Sequence, residues 1–306
     1  MSAPKIAVAP TGTRDWIRDA VRAGGGALVE PAEAEALVFT EASDPEGLRV
    51  LLDAHPGLQW VQLVWAGVEP YAAAGVLDTG RIWTCGKGVY ARPVAEHALS
   101  LALAGLRGIK RFATARSWGD QDGISLVGGR VTIFGGGGIA TELIKLLSPF
   151  ECAITVIRRH PGPMDGVETV LAFGERYTGL KGSDVVFLAL PLVPETRGLI
   201  GEVEFELMEP HAWLVNVARG PHVLTEDLVI ALREDAIGGA ALDVTDPEPL
   251  PDGHPLWSLP NCLITPHTAN TEAMAIPLLH QRIRENVRRY AAGEELIGLV
   301  DPELGY

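Results

Sequence analysis

Cysteine is scarce: Cys85, Cys152 and Cys262 are the only three among 306 residues. Their number is odd and their spacing wide, so neither a disulfide framework nor a thiolate metal site is expected. No HExxH and no Cys/His cluster occurs either, and no metal is expected. Basic charge is short as well. Asp and Glu number 39 against 25 Lys and Arg, a net charge of −14. Nucleic acid and anionic membrane surfaces attract proteins with a Lys/Arg surplus, so neither is an expected partner. Long apolar runs are missing too. No stretch approaches the roughly 18 uninterrupted apolar residues of a membrane span. The first residues, MSAPKIAVAP, lack the basic-then-apolar pattern of a secretory leader. A cytoplasmic protein is the expectation.

What is present is core-forming material. Apolar residues make up 47 % and charged residues 21 %, the balance of a globular chain. At roughly 150 residues per domain the length suggests two domains. Glycine, 35 residues, exceeds the usual share of about 7 %. It has no three-residue period, so collagen is excluded and the surplus needs a local explanation.

Short apolar runs alternate with longer amphipathic ones. Strands are predicted at 5–9, 36–40, 60–64, 81–84, 130–134, 153–157, 184–190, 212–217, 239–242 and 262–264. Helices are predicted at 13–23, 45–55, 93–107, 139–147, 203–208, 225–234 and 272–291. Such alternation implies an α/β chain with doubly wound parallel sheets. Strands such as VVFLAL are apolar throughout, as strands covered by helices on both faces are. The polar, Gly-rich segment 117–130 (SWGDQDGISLVGGR) reads as a boundary before the strand VTIF.

Four consecutive glycines, Gly135 to Gly138, follow VTIF and precede IATELIKLL. Read as GxGxxA, the pattern falls on Gly135, Gly137 and Ala140. The first glycine permits a tight turn, the second lets backbone approach a pyrophosphate, and the small third residue lets helix pack on strand. The helix start at Gly138 and Ile139 then offers free N–H groups to the phosphates. Strand, turn, helix and a further strand together point to dinucleotide binding. The end of that further strand selects the cofactor. NAD enzymes place an acid there for the ribose hydroxyls, whereas this chain has Arg158, Arg159 and His160. Guanidiniums suit a 2′-phosphate through charge-assisted bidentate bonds, so NADP(H) is expected in preference to NAD(H).

Three downstream segments extend the pattern: LPLVPETRGLI, LVNVARG and ALDVTDPEPLPDGHPLWSLPNCLITPHTAN. With FGGGGIA and VAEHALSLALA they resemble the D-isomer-specific 2-hydroxyacid dehydrogenases, in particular the glyoxylate/hydroxypyruvate reductase-like members. The resemblance implies a flavodoxin-like substrate domain, 1–98 plus 270–306, and an inserted Rossmann cofactor domain, 99–269. It implies a catalytic Arg–Glu–His set at Arg219, Glu248 and His267. His267 would give the carbonyl oxygen a proton as hydride arrives. Glu248 would orient the ring and favour its charged form. Arg219 would grip the substrate carboxylate and polarise the carbonyl beside it. The resemblance also places Leu190, Pro191, Ala218 and Asp243 at the nicotinamide end, with Asp243 bonding the carboxamide. Backbone amides of Trp65, Ala66, Gly67 and Val68 would face the substrate carboxylate, and Lys87, Tyr90 and Arg92 would lie near. His97, in VAEHALSLALA, reads instead as a hydrogen-bonded core or interface residue. Relatives are commonly homodimers, and the apolar stretch 95–104 is a candidate contributor. Many carry Thr where Val193 stands. Formate dehydrogenases, which share the fold, pair Gln with the active-site His, so Glu248 argues against that branch.

The leading expectation is NADPH-dependent reduction of a small 2-keto acid such as glyoxylate or hydroxypyruvate. A short phosphoglycerate dehydrogenase and a non-enzymatic dinucleotide sensor are the competing readings.

Overall fold

A computed structural model describes residues 3–10, 12, 14–41 and 44–305. In chain order the elements are β1 (Lys5–Ala9), α1 (Asp15–Ala23), β2 (Ala27–Leu28), β3 (Ala36–Phe39), α2 (Pro45–Ala54), β4 (Trp60–Leu63), α3 (Glu69–Ala73), β5 (Ile82–Thr84), α4 (Ala91–Leu106), α5 (Ile109–Thr114) and β6 (Arg130–Phe134). They continue through α6 (Gly138–Leu147), β7 (Ala153–Arg158), β8 (Thr169–Ala172), α7 (Arg176–Leu180), β9 (Val185–Leu188), α8 (Glu202–Leu207), β10 (Trp213–Asn216), α9 (Thr225–Arg233), β11 (Gly239–Leu242), α10 (Pro255–Ser258), β12 (Cys262–Ile264) and α11 (Glu272–Ala292). Residue 13, where the first helix was expected to begin, lies outside the described residues.

The chain divides into two units, Met1–Tyr90 with Thr271–Tyr306, and Ala91–Asn270. The expected boundary at 98/99 falls inside α4, which belongs whole to the second unit. The glycine-rich segment 117–130 is likewise no boundary. It joins α5 to β6 within the second unit and is polar because most of it is exposed.

The first unit holds a five-stranded parallel sheet in the order β2-β1-β3-β4-β5, the flavodoxin-like winding. Successive side chains enter opposite faces. Ala7, Ala9, Leu37, Phe39, Val61 and Leu63 build one core, and Ile6, Val8, Ala36, Val38 and Trp60 build the other. Onto the second face packs α11 through Ala275, Leu279, Ile283 and Val287. It runs beside α1 so closely that a Cβ at Gly24 would stand 2.5 Å from the Arg284 carbonyl oxygen. A buried polar network pins the same helix. Asn286 Nδ2 donates to Gln62 Oε1 (2.8 Å) and to the Ile297 carbonyl (2.9 Å), and Asn286 Oδ1 accepts from Ile297 N (2.9 Å). Thr84 Oγ1 donates to the same Gln62 oxygen and accepts from Trp60 Nε1. Stripping these partners orphans enclosed backbone groups, so Asn286→Ala should lower this unit's unfolding free energy by about 2 kcal/mol. Urea denaturation reads this, and an unchanged midpoint would contradict the network's role.

The second unit holds a seven-stranded parallel sheet, β12-β11-β10-β9-β6-β7-β8. Its winding starts at β6 and runs first one way through β7 and β8, then the other through β9 to β12. This is the Rossmann winding, whose ligand crevice lies outside the carboxyl ends of the strands where the order reverses, here between β6 and β9. Helix α4 packs on α6 and β10. Gly105 sits against the Trp213 ring, where any side chain would overlap it. Much of the apolar stretch 95–104 is therefore taken up inside its own unit: Ala95, Ala98, Leu101 and Ala102 are buried.

Candidate active site

The glycine turn sits at the reversal point. Gly135 follows β6 with φ +104, and a Cβ there would overlap the Ala189 carbonyl oxygen beyond β9. Only glycine takes this positive φ without strain and leaves that space open. At Gly137, by contrast, nothing lies within 4 Å of a would-be Cβ. Open space stands there in front of the N-terminus of α6, whose first residues are Gly138 and Ile139 and which no side chain caps. That geometry fits a pyrophosphate. Arg158 closes β7, and its side chain lies over the turn, with Cδ and Nε 3.0 and 3.1 Å from a would-be Cβ at Gly136. Arg159 and His160 follow, both exposed.

Leu190 and Pro191 continue the chain beyond β9. The Thr196 hydroxyl holds this loop, donating to the Pro191 carbonyl (2.9 Å) and accepting from Val193 N (2.9 Å). Val193 thus contributes its backbone to the turn, without a hydroxyl of its own.

Arg219 follows β10 in extended backbone. Asn216, wholly buried, brackets the turn, accepting from Ala218 N (3.0 Å) and donating to the Arg219 carbonyl (2.9 Å). Arg219 Nη1 donates to the Ala218 carbonyl at 2.7 Å. The next residue must be glycine, because a Cβ at Gly220 would overlap the Thr245 carbonyl. That close approach seats the Arg219 turn against the loop carrying Glu248. In that loop, Thr245 Oγ1 donates to the Pro247 carbonyl (2.8 Å).

Glu248 and His267 meet: Glu248 Oε1 lies 2.6 Å from His267 Nδ1. A carboxylate accepts only, so Nδ1 carries the proton in this bond. His267 has φ +49, a left-handed conformation uncommon for a non-glycine residue. Asp243 anchors this turn from behind. The His267 amide donates to the Asp243 carbonyl (2.8 Å), and the Asp243 carboxylate accepts the amides of Thr268 (2.8 Å) and Ala269 (3.0 Å). Burial pushes the Asp243 carboxyl up, but hydrogen bonds from His97, Thr265 and those two amides outweigh it and hold it below the usual carboxylate range. It is ionised at neutral pH, and Oδ2, which already accepts Ala269 N, has capacity for one further donor.

In the first unit, the chain after β4 forms the Trp65 to Val68 loop. The amides of Ala66, Gly67 and Val68 have no acceptor among the described residues. The Arg14 guanidinium lies over the Trp65 ring, 5.2 Å from its centroid. Arg282 lies near Lys87, donating from Nη1 to the Lys87 carbonyl (3.0 Å).

Two supporting residues escape sequence reasoning. Asn216 acts through backbone, which its motif alone does not reveal. His222, wholly buried, stands with Nδ1 2.9 Å from the Arg219 carbonyl and Nε2 3.2 Å from the Pro191 carbonyl. It joins the arginine turn to the loop beyond β9, and nothing in its spacing signalled this. Among the described residues no group of three or more His, Cys, Asp or Glu could hold a metal, and no helix is long and apolar enough to cross a membrane.

A dinucleotide-binding sheet that carries a carboxylate-oriented imidazole at its strand ends defines a class, the pyridine-nucleotide oxidoreductases. The comparisons narrow it. Residues 98–269 match the family model described as D-isomer specific 2-hydroxyacid dehydrogenase, NAD binding domain. A glyoxylate/hydroxypyruvate reductase A of Photorhabdus laumondii is 32 % identical over 271 residues, 84 % of each chain. An uncharacterized Corynebacterium melassecola protein is 35 % identical over 94 % of this chain and 95 % of its own. The crystal structure of a D-isomer specific 2-hydroxyacid dehydrogenase from Xanthobacter autotrophicus Py2, in complex with NADPH and MES, superposes with a TM-score of 0.87 at 28 % identity, covering 100 % of both chains. The chain belongs to the D-isomer specific 2-hydroxyacid dehydrogenase family and is an NAD(P)-dependent oxidoreductase.

Proposed function

We propose that this enzyme reduces a small 2-keto acid, glyoxylate or hydroxypyruvate, to the D-2-hydroxy acid, with NADPH as preferred cofactor. The observation that carries the reading is the 2.6 Å bond between Glu248 and His267 on loops packed around the Arg219 turn. The name of the Photorhabdus relative supports the substrate class.

Gly135, Gly137, Gly138 and Ile139 would hold the pyrophosphate of NADPH, which would supply the hydride. Leu190, Pro191 and Ala218 would bound the nicotinamide end, and Asp243 would accept the carboxamide. Arg219 holds the substrate carboxylate in a two-point contact, with amides of the Trp65, Ala66, Gly67 and Val68 loop as the second anchor. Its charge draws electron density toward the carbonyl oxygen. His267 Nε2 gives that oxygen a proton as the carbon is reduced, and Glu248 stabilises the ring while it carries the extra proton. A homodimeric, cytoplasmic enzyme belongs to the same proposal.

Arg158 carries the cofactor preference, because its guanidinium already lies over the glycine turn. Fluorescence titration should show NADPH binding tighter than NADH. Arg158→Gln should weaken NADPH about tenfold, the worth of one charge-assisted hydrogen bond, and leave NADH unchanged. Tighter NADH binding by the wild type would refute the preference. A panel of 2-keto acids tests the substrate class. Glyoxylate and hydroxypyruvate should turn over with NADPH, and selective turnover of a phosphorylated substrate would overturn the reading.

A further inference from the structure

His97 lies on α4, which carries none of the residues given a chemical role above. Its ring nevertheless reaches the anchor beneath His267. His97 Nε2 stands 3.0 Å from Thr265 Oγ1 and 3.4 Å from Asp243 Oδ1. Donor counting fixes the direction of each bond. The ionised carboxylate only accepts, so Thr265 Oγ1 gives its single proton to Asp243 Oδ1, 2.6 Å away. The hydroxyl then has only lone pairs left to offer His97. His97 Nε2 must therefore be the donor.

The recipient of this chain is the group that shapes the catalytic turn. Asp243 accepts the amides of Thr268 and Ala269 through its carboxylate and the amide of His267 through its carbonyl. It thus clamps the turn at His267 and at the two residues that follow. The turn needs clamping, since a non-glycine residue at φ +49 persists only where its surroundings over-determine it. A carboxylate free to rotate would lose the match between its two oxygens and the amides of Thr268 and Ala269. The Thr265 hydroxyl, oriented by His97, holds Oδ1 on the Thr268 amide, while Oδ2 accepts the Ala269 amide and keeps one lone pair.

We infer that His97 is a positioning residue for the proton donor: its Nε2–H, acting through Thr265 Oγ1, locks the Asp243 carboxylate that clamps the turn of His267. The inference rests on the proposed role of His267, and the experiment separates the two.

His97→Phe keeps the ring and removes the donor, whereas His97→Gln keeps a donor. In His97→Phe, kcat should fall about tenfold, within the loss a sub-ångström misplacement can cause. KM for the keto acid should change by less than about twofold, since the Arg219 anchor is untouched. The primary isotope effect with deuterated NADPH should rise, because the chemical step becomes rate-limiting. His97→Gln should recover most of the lost kcat. In 15N-labelled wild type, His97 should appear with its proton on Nε2, a readout independent of turnover. An Nδ1–H tautomer, or unchanged kcat and isotope effect in both variants, would overturn the inference. His267→Ala, run in parallel, should remove turnover. If it does while His97→Phe is silent, only the role of His97 falls; if His267→Ala retains turnover, both fall.

Discussion

His267→Ala should lose about a thousandfold or more in kcat, because general acid catalysis contributes roughly 10²–10⁴, and should bind NADPH as the wild type does. The split follows from where the ring sits. Its Nδ1 is spent on Glu248 at 2.6 Å, so the only chemistry left to it is at Nε2. The proposed cofactor anchors, Gly135, Gly137, Arg158 and Asp243, lie on other strands and loops. A further contribution comes from the turn. Asp243 holds the backbone of 267–269 whatever side chain position 267 carries, so the alanine variant keeps the site's shape and loses only the proton. Steady-state turnover with parallel NADPH titration measures both. Turnover within tenfold of wild type would remove His267 from the chemistry.

Arg219→Lys should lower kcat/KM for the keto acid about a hundredfold, as two charge-assisted hydrogen bonds of roughly 1.5 kcal/mol each would predict. Lysine keeps the charge but cannot copy a planar fork onto a carboxylate. The backbone at 219 is fixed from two sides, by Asn216 and by His222, and Gly220 is pressed against the 245 carbonyl. The ammonium therefore cannot be brought into place by moving the turn. The loss should appear for every 2-keto acid tested and should leave Kd for NADPH unchanged. An equal loss in NADPH affinity would mean that Arg219 serves the cofactor instead.

The two sheets were legible because their central strands are apolar on both faces. VVFLAL and VTIF cannot be anything but covered strands once helical patterns flank them. The elements that escaped are those without that signature. Strand β2 has only two residues, Ala27 and Leu28, both half-buried. Strand β8 (TVLA) lies at the edge of its sheet and none of its residues is fully buried, so its apolar run is too short to stand out. Helices α3, α7 and α10 span five, five and four residues, too short for a period to show.

The compact units divide at 90/91, eight residues before the expected 98/99, for a different reason. Periodicity says that 93–107 is a helix but not what it packs on. Gly105 against the Trp213 ring settles that α4 belongs with the second sheet, and only tertiary contact reveals it. The site divides in the same way. Arg219, Glu248 and His267 stood in motifs, and the structure brings Glu248 and His267 into contact. Asn216, His222, Thr265 and His97 act on backbone or on one another, and their chemistry exists only in the fold.

Hydride transfer itself offers the most direct test of the account. Incubated with hydroxypyruvate and NADPH carrying deuterium at the transferable C4 position, the enzyme should yield D-glycerate labelled at C2. Unlabelled product, product of the L configuration, or no product alongside tight NADPH binding would contradict it.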